Sequence, residues 1–302
     1  MAMRTELAEV FDHLRREPEA GVDPVAAMRA MVESYGMGCA GAGLSACRVV
    51  PVRIGAVMAE WLVPPGAGDG RMVYCHGGGW VAGSLTSHRT LAAELAYLSG
   101  FAVLVPDYRL APEHPFPAGL TDCAAALVHA AQNGPDGPGS CGRIALAGDS
   151  AGGNLAAAIA LGLAPLTGVL RPDRLVLFSP FLAIEPVAGG FTRAPDDPAV
   201  AGDAMGLVCD LYAPGHSPND PAISPLHASD SLLRDLQPTL IHASAEEVLR
   251  GQALAFAQRI WGLGGPLRLS LWPGMPHVWP IFMGKLPEAD AALREAADFI
   301  RH

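Results

Sequence analysis

A short apolar run, residues 144–147, leads directly into Gly148-Asp149-Ser150-Ala151-Gly152-Gly153, and an alanine-rich helical run, residues 154–163, follows at once. A strand that becomes a helix across so few residues must turn sharply, and glycines on either side relieve the crowding. Ser150 then stands at the apex with its hydroxyl presented, the geometry of a nucleophile elbow. A lone Gly-x-Ser-x-Gly is a weak signal, but here it has company. His76-Gly77-Gly78-Gly79 lies upstream, Glu246 and Glu247 lie downstream, and His277 comes near the end of the chain.

Around that turn, strand-like runs at 47–54, 57–63, 71–75, 101–106, 144–147 and near Leu175 and Thr239 alternate with helical patterns at 90–99, 120–132 and 151–163. Such alternation predicts crossover helices and an α/β fold with a mostly parallel central sheet flanked by helices. A last strand at 267–272 and a helix at 287–300 close it. Two amphipathic helices precede the sheet, one with Leu7, Val10, Phe11 and Leu14 on a face, the next with Val25, Met28, Val32 and Tyr35. Their apolar faces need a partner, so residues 1–46 are expected to form a helical cap segment over the mouth of the site. A Pro-, Gly- and Asp-rich stretch at 185–221 carries Phe191, Met205, Leu207, Val208 and Leu211 and reads as a second, inserted cap segment. It divides the core into 47–184 and 222–302.

Composition narrows the partners. With 302 residues and 50% hydrophobic content the chain can bury a large single core. A net charge of −10 argues against nucleic acid and against anionic membranes. The charged N-terminus lacks the apolar stretch of a secretory signal, and the longest apolar run, 155–163, is too short to span a bilayer. The expected location is the cytoplasm, with no membrane partner. Six cysteines show no metal-ligand spacing and are expected reduced and mostly buried. Residues 36–41 match the dinucleotide-binding glycine pattern, but no strand precedes them, so a flexible loop is expected.

His76-Gly77-Gly78-Gly79-Trp80, Asp107-Tyr108-Arg109-Leu110-Ala111-Pro112-Glu113, Gly148 to Gly153 and Pro273-Gly274-Met275-Pro276-His277 together resemble the microbial hormone-sensitive-lipase-like carboxylesterases. The resemblance runs from about the first helix to the C-terminus. It implies the α/β-hydrolase fold, a cap of N-terminal helices plus an inserted segment, no cofactor and no metal, and hydrolysis of small carboxylic esters. Many relatives carry an Asp-x-Leu acid; Glu247-Val248-Leu249 resembles the branch that uses Glu. Glu246 is adjacent, so both glutamates stay eligible as the acid, with the register favouring Glu247.

The chemistry can be rebuilt from the residues. A serine hydroxyl attacks an ester only if a base takes its proton, and His277 is the candidate base. Its other ring nitrogen needs an acceptor, the task assigned to Glu247. The tetrahedral intermediate needs preorganised donors, for which the backbone N–H groups of Gly77, Gly78 and Ala151 are the candidates. His76 is expected to hydrogen-bond the glycine loop, and Asp107, Arg109 and Glu113 to pair within the scaffold. His216, His227 and His242 have no assigned role. Trp80, Phe191, Met205, Leu207 and Val278 are the candidates for substrate contact.

The favoured function is a serine carboxylesterase for short- to medium-chain esters, or a deacetylase of a small molecule. The alternative is a non-hydrolytic small-molecule binder on the same scaffold, as in the plant gibberellin receptors, which have lost the histidine that this chain retains as His277. Leu267, Leu269 and Leu271 alternate along the last strand, whose open edge must be covered, and the resemblance implies that a second subunit covers it in a homodimer.

Overall fold

The computed structural model describes residues 4–15, 21–36, 38–166, 170–185 and 202–302. In chain order it begins with helices α1 (Thr5–Leu14), α2 (Pro24–Ser34) and α3 (Gly43–Ala46) and strands β1 (Arg48–Ile54), β2 (Val57–Val63) and β3 (Gly70–Cys75). Helix α4 (Leu85–Ser99), strand β4 (Ala102–Pro106) and helix α5 (Ala118–Gln132) follow. Two short strands, β5 (Asn133–Gly134) and β6 (Gly137–Pro138), precede β7 (Arg143–Asp149), α6 (Ser150–Ala160) and β8 (Arg174–Phe178). After position 201 come α7 (Gly202–Tyr212), α8 (Asp230–Arg234), β9 (Thr239–Ser244), α9 (Arg250–Gly262), β10 (Leu267–Trp272) and α10 (Pro287–Arg301).

One eight-stranded sheet has the order β1-β2-β4-β3-β7-β8-β9-β10, with β5 and β6 paired apart from it. Strand β2 runs antiparallel to both β1 and β4, and every other pair in the large sheet is parallel. Strands β3, β4 and β9 are buried at every residue, because helices cover both faces of a parallel sheet. The period-2 alternation of side chains still sorts them between two cores. Val73, Cys75, Leu104, Leu146, Leu177 and Ile241 join the helices α5, α6 and α9 on one face. Met72, Tyr74, Val103, Ala145, Val176 and Leu240 join α4 and α10 on the other.

Helix boundaries follow local chemistry more closely than apolar periodicity. Helix α4 starts five residues before the expected position because Ser84 and Ser87 form a capping box, each side chain accepting from the other's backbone N–H. It stops at Gly100, whose φ of 74° continues no helix. Helix α1 buries Leu7, Val10, Phe11 and Leu14 as expected, in the core of the α4 and α10 face. Ion pairs Arg4–Glu288 and Glu9–Lys285 fasten it beside the start of α10. Helix α2 instead reaches the loop after β3: Arg29 bonds the carbonyls of Val81 and Ala111 and both oxygens of Glu113. All six cysteines are free, with Cys39, Cys75, Cys123 and Cys209 buried. Among the described residues no helix is long and apolar enough to cross a membrane.

Candidate active site

The loops after β3, β7, β9 and β10 meet at the carboxyl ends of parallel strands, where open α/β sheets place their sites. Strand β7 ends at Asp149 and α6 begins at Ser150, whose φ of 50° lies in the left-handed region. The flanking glycines are required by backbone approach. A Cβ at Gly152 would sit 2.1 Å from the Cys75 carbonyl oxygen and 2.3 Å from that of His76, and one at Gly148 only 2.5 Å from the Gly152 oxygen. Trp80, Ser179 and Val278 are the other non-glycine residues with positive φ among those described. All four sit at this end of the sheet, Ser150 at the first position of α6 and the others on loops, the distribution expected where surrounding structure holds a strained site.

His277 joins two of these loops. Its Nε2 lies 3.0 Å from Ser150 Oγ and its Nδ1 2.6 Å from Glu247 Oε2. Glu247 is only 1% exposed, and its second oxygen accepts the Ser244 N–H at 2.9 Å. A buried carboxylate needs such partners, and this one presents an acceptor that fixes a proton on Nδ1 and leaves the Nε2 lone pair facing the serine. Glu246 is exposed, as expected of the glutamate that does not meet the ring. It is not idle, since it accepts the Gly274 N–H at 2.7 Å and so holds the turn before His277. Ser244 Oγ adds a bond to the Met275 carbonyl at 2.6 Å, and Ser179 Oγ accepts the Val278 N–H at 3.1 Å.

The glycine loop departs from expectation at one donor. The Gly77 N–H is given to Asp149 Oδ1 at 3.0 Å, so it is committed to the scaffold and not to a developing oxyanion. Gly78 and Gly79 both have positive φ, at 118° and 61°, which curls the next stretch of loop back on itself. Helix α6 has no side-chain cap, so the Ala151 N–H belongs to the first-turn groups that a helix leaves unsatisfied. His76 bonds the Gly77 carbonyl through Nδ1 at 2.9 Å, as expected. Full burial, and then proximity to His88, push its pKa down to about 3, so the ring is neutral. Arg109 forks onto Asp122 and Glu113 onto Arg29, both scaffold pairings. Asp107 is exposed, and its N–H bonds the Met58 carbonyl.

Around the loop, Trp80 is buried and stacks on Tyr212 at 4.3 Å and against Phe181 at 4.9 Å. Met205 and Val278 are buried too. Leu207 is 41% exposed; the next residue, Val208, takes the inward position about 100° round the helix. A Cβ built on Gly79 would lie 2.7 Å from Met28 Cε and 3.2 Å from Val208 Cγ1, so helices α2 and α7 both press on the glycine loop. Phe191 lies outside the described residues. Among the described residues no group of three or more His, Cys, Asp or Glu could hold a metal ion.

A family pattern described as alpha/beta hydrolase fold matches residues 72–281. The chain is 38% identical over 255 residues to an acetyl-hydrolase of Streptomyces hygroscopicus, covering 83% of this chain and 81% of that protein. It is 34% identical over 247 residues to the carboxylesterase NlhH of Mycobacterium tuberculosis, covering 80% and 75%. A crystal structure of an esterase from the bacterial hormone-sensitive lipase family superimposes with a TM-score of 0.87 at 35% identity, covering 100% of this chain and 99% of the other.

Proposed function

The chain belongs to the α/β-hydrolase family, on its bacterial hormone-sensitive lipase branch, and is a carboxylic ester hydrolase; from that premise we propose that it cleaves small acyl esters through an acyl-enzyme on Ser150. The observation that carries the reading is the single ring of His277, bonded to Ser150 on one nitrogen and to Glu247 on the other.

In this mechanism Ser150 Oγ attacks the ester carbonyl while His277 Nε2 takes its proton, and Glu247 stabilises the imidazolium. The carbonyl electron pair moves to oxygen, where the N–H groups of Gly78, Gly79 and Ala151 receive it; Gly79 replaces Gly77, whose donor is spent on Asp149. The intermediate collapses, the C–O bond to the alcohol breaks, and His277 returns the proton to the departing oxygen. Water then attacks the acyl-enzyme by the same route, releasing the acid and restoring Ser150. Trp80, Met205, Val208 and Val278 supply the apolar surround for the acyl and alcohol groups. Acetyl to medium-chain esters are the substrate range, consistent with the name of the Streptomyces relative. A binder on this scaffold finds no such support, since all three triad residues are present and joined.

Purified protein should hydrolyse p-nitrophenyl acetate and butyrate, gain one organophosphate adduct on Ser150 by mass spectrometry, and fall to near background as Ser150→Ala. A folded wild type inert to every short ester would reject the reading. Two finer points belong to the same proposal. The half-exposed β10, paired among the described residues with β9 alone and showing Leu271 at 42% exposure, is the edge through which two copies pair, and light scattering giving a monomer mass would reject this. Cytoplasmic residence accords with six free cysteines, and recovery of the protein in a secreted fraction would reject it.

A further inference from the structure

Asp149 is the residue at which a capping side chain is expected, since it precedes the first turn of α6 and Asp is a favoured N-cap. It does not cap. Its carboxylate turns away from the helix: Oδ1 accepts the Tyr74 hydroxyl at 2.7 Å and the Gly77 N–H at 3.0 Å, and Oδ2 faces His88 Nε2 at 3.4 Å. Asp149, Tyr74 and His88 are all buried, so these bonds are made away from water. Gly77 is glycine for the same reason, because a Cβ there would lie 2.1 Å from Asp149 Oδ2.

This arrangement has two effects on one feature of the site. The carboxylate draws Gly77 onto the nucleophile's own strand end, which fixes where the following Gly78 and Gly79 N–H groups point. By not capping α6 it also leaves the first-turn Ala151 N–H without a side-chain cap among the described residues. The two sets of oxyanion donors come from different parts of the chain, and the bond between Asp149 and Gly77 is the covalent neighbourhood of one held against the covalent neighbourhood of the other. The geometry points to Asp149 as a positioning residue that sets the spacing of the oxyanion donors, acting through Gly77 without touching substrate. Burial alone would raise its carboxyl pKa, but attraction to His88 and hydrogen bonds from His88 and Tyr74 outweigh it and hold the pKa below the usual value. The acceptor is therefore charged at neutral pH, and a charged acceptor holds an N–H about twice as strongly as a neutral one.

The inference rests on the acyl-enzyme reading and is tested within it, using p-nitrophenyl butyrate and an aryl trifluoromethyl ketone. The ketone carbon bonds to Ser150 Oγ, the serine proton passes to His277, and the carbonyl pair settles on oxygen as a stable oxyanion. Its affinity therefore reports the donors without turnover. Asp149→Ala should lower kcat by about 30- to 300-fold with KM within about threefold, since donors to a developing oxyanion act in the transition state and a displacement of about 1 Å costs this much. Ketone affinity should fall by a similar factor. Asp149→Asn, which keeps shape and acceptor but not charge, should lose about three- to tenfold in both. Folded Asp149→Ala with kcat and ketone affinity within about threefold of wild type would overturn the proposal, as would a fall in kcat with ketone affinity unchanged. Should the alanine variant fail to fold, the asparagine variant decides: parallel losses support the role, and no loss in either overturns it. A wild type inert to both ester and ketone would instead remove the acyl-enzyme reading itself.

Discussion

The Tyr35 hydroxyl donates to the backbone carbonyl of His277 at 2.7 Å, tying the end of the N-terminal helical segment to the residue that carries the base. Both groups are buried, and the Tyr35 ring also lies 5.4 Å from Phe282, just past the same loop. The N-terminal segment is thus joined to the active-site loop by a directional bond as well as by apolar packing. Tyr35→Phe keeps the ring and removes the donor. It should cost about 1 kcal/mol of stability in urea unfolding, the net worth of one hydrogen bond. Activity on p-nitrophenyl butyrate should drop by less than about tenfold, as His277 keeps Glu247 and Ser179 keeps Val278 in place. A loss above about a thousandfold would mean that Tyr35 takes part in the chemistry.

The two glutamates should separate cleanly. Glu247→Gln preserves shape but offers the ring no anionic acceptor, and in the serine-protease precedent the equivalent change costs about 10⁴-fold in kcat. A loss of about 10³- to 10⁴-fold with unchanged circular dichroism is expected here. Glu246→Gln can still accept the Gly274 N–H through its amide oxygen, so it should stay within about tenfold, equal to about 1.4 kcal/mol of barrier. A reversed order in the kinetics would reassign the acid.

Acid sensitivity should trace in part to His76. Its pKa falls from 6.5 to about 3 in the folded protein, so below pH 6.5 the unfolded chain takes a proton that the folded one refuses. The stability it contributes is whole above pH 6.5 and is lost as pH falls toward about 3, at up to about 1.4 kcal/mol per pH unit. His76→Asn removes the titration while its amide nitrogen can replace Nδ1 as donor to the Gly77 carbonyl. The wild type should lose roughly 2.5 kcal/mol more than the variant between pH 7 and pH 4.5 in urea unfolding. Equal losses would show that the ring is not held neutral.

The parts of this site legible in the sequence were those encoded by neighbours along the chain. Ser150 stood between its own strand and helix, and His277 followed the last strand in a proline- and glycine-rich turn, so both could be placed from local pattern. Gly77 could not, because its N–H is claimed by a carboxylate 72 residues away, a competition visible only once β3 and β7 are side by side. Leu207 and Val208 show the same limit on a smaller scale: both are apolar, and only packing against Gly79 decides which faces inward. The fold was readable because parallel strands and crossover helices leave period and composition signals. The pairing of β5 with β6 was missed, since strands of two residues leave none.

Gly152 sets two rules against each other. It lies inside α6, where replacing glycine by alanine ordinarily stabilises a helix by about 1 kcal/mol. Here the new methyl would meet the carbonyl oxygens of Cys75 and His76 at 2.1 and 2.3 Å, and both belong to backbone at the end of a fully buried strand. Neither oxygen is the tip of a flexible side chain, so α6 or the glycine loop must move, and overpacking of that kind costs about 1–3 kcal/mol or more. The steric cost should win. Gly206 in α7 provides the control, because a Cβ there meets nothing within 4 Å among the described residues. Gly206→Ala should raise stability by about 0.5–1 kcal/mol with activity kept, whereas Gly152→Ala should lower it by at least about 1 kcal/mol and cut kcat by more than tenfold, because the moving parts carry Ser150 and the oxyanion donors. Thermal unfolding and p-nitrophenyl butyrate kinetics on the two variants side by side decide the matter, and a Gly152→Ala protein as stable and active as Gly206→Ala would show that the elbow has room that the backbone distances deny.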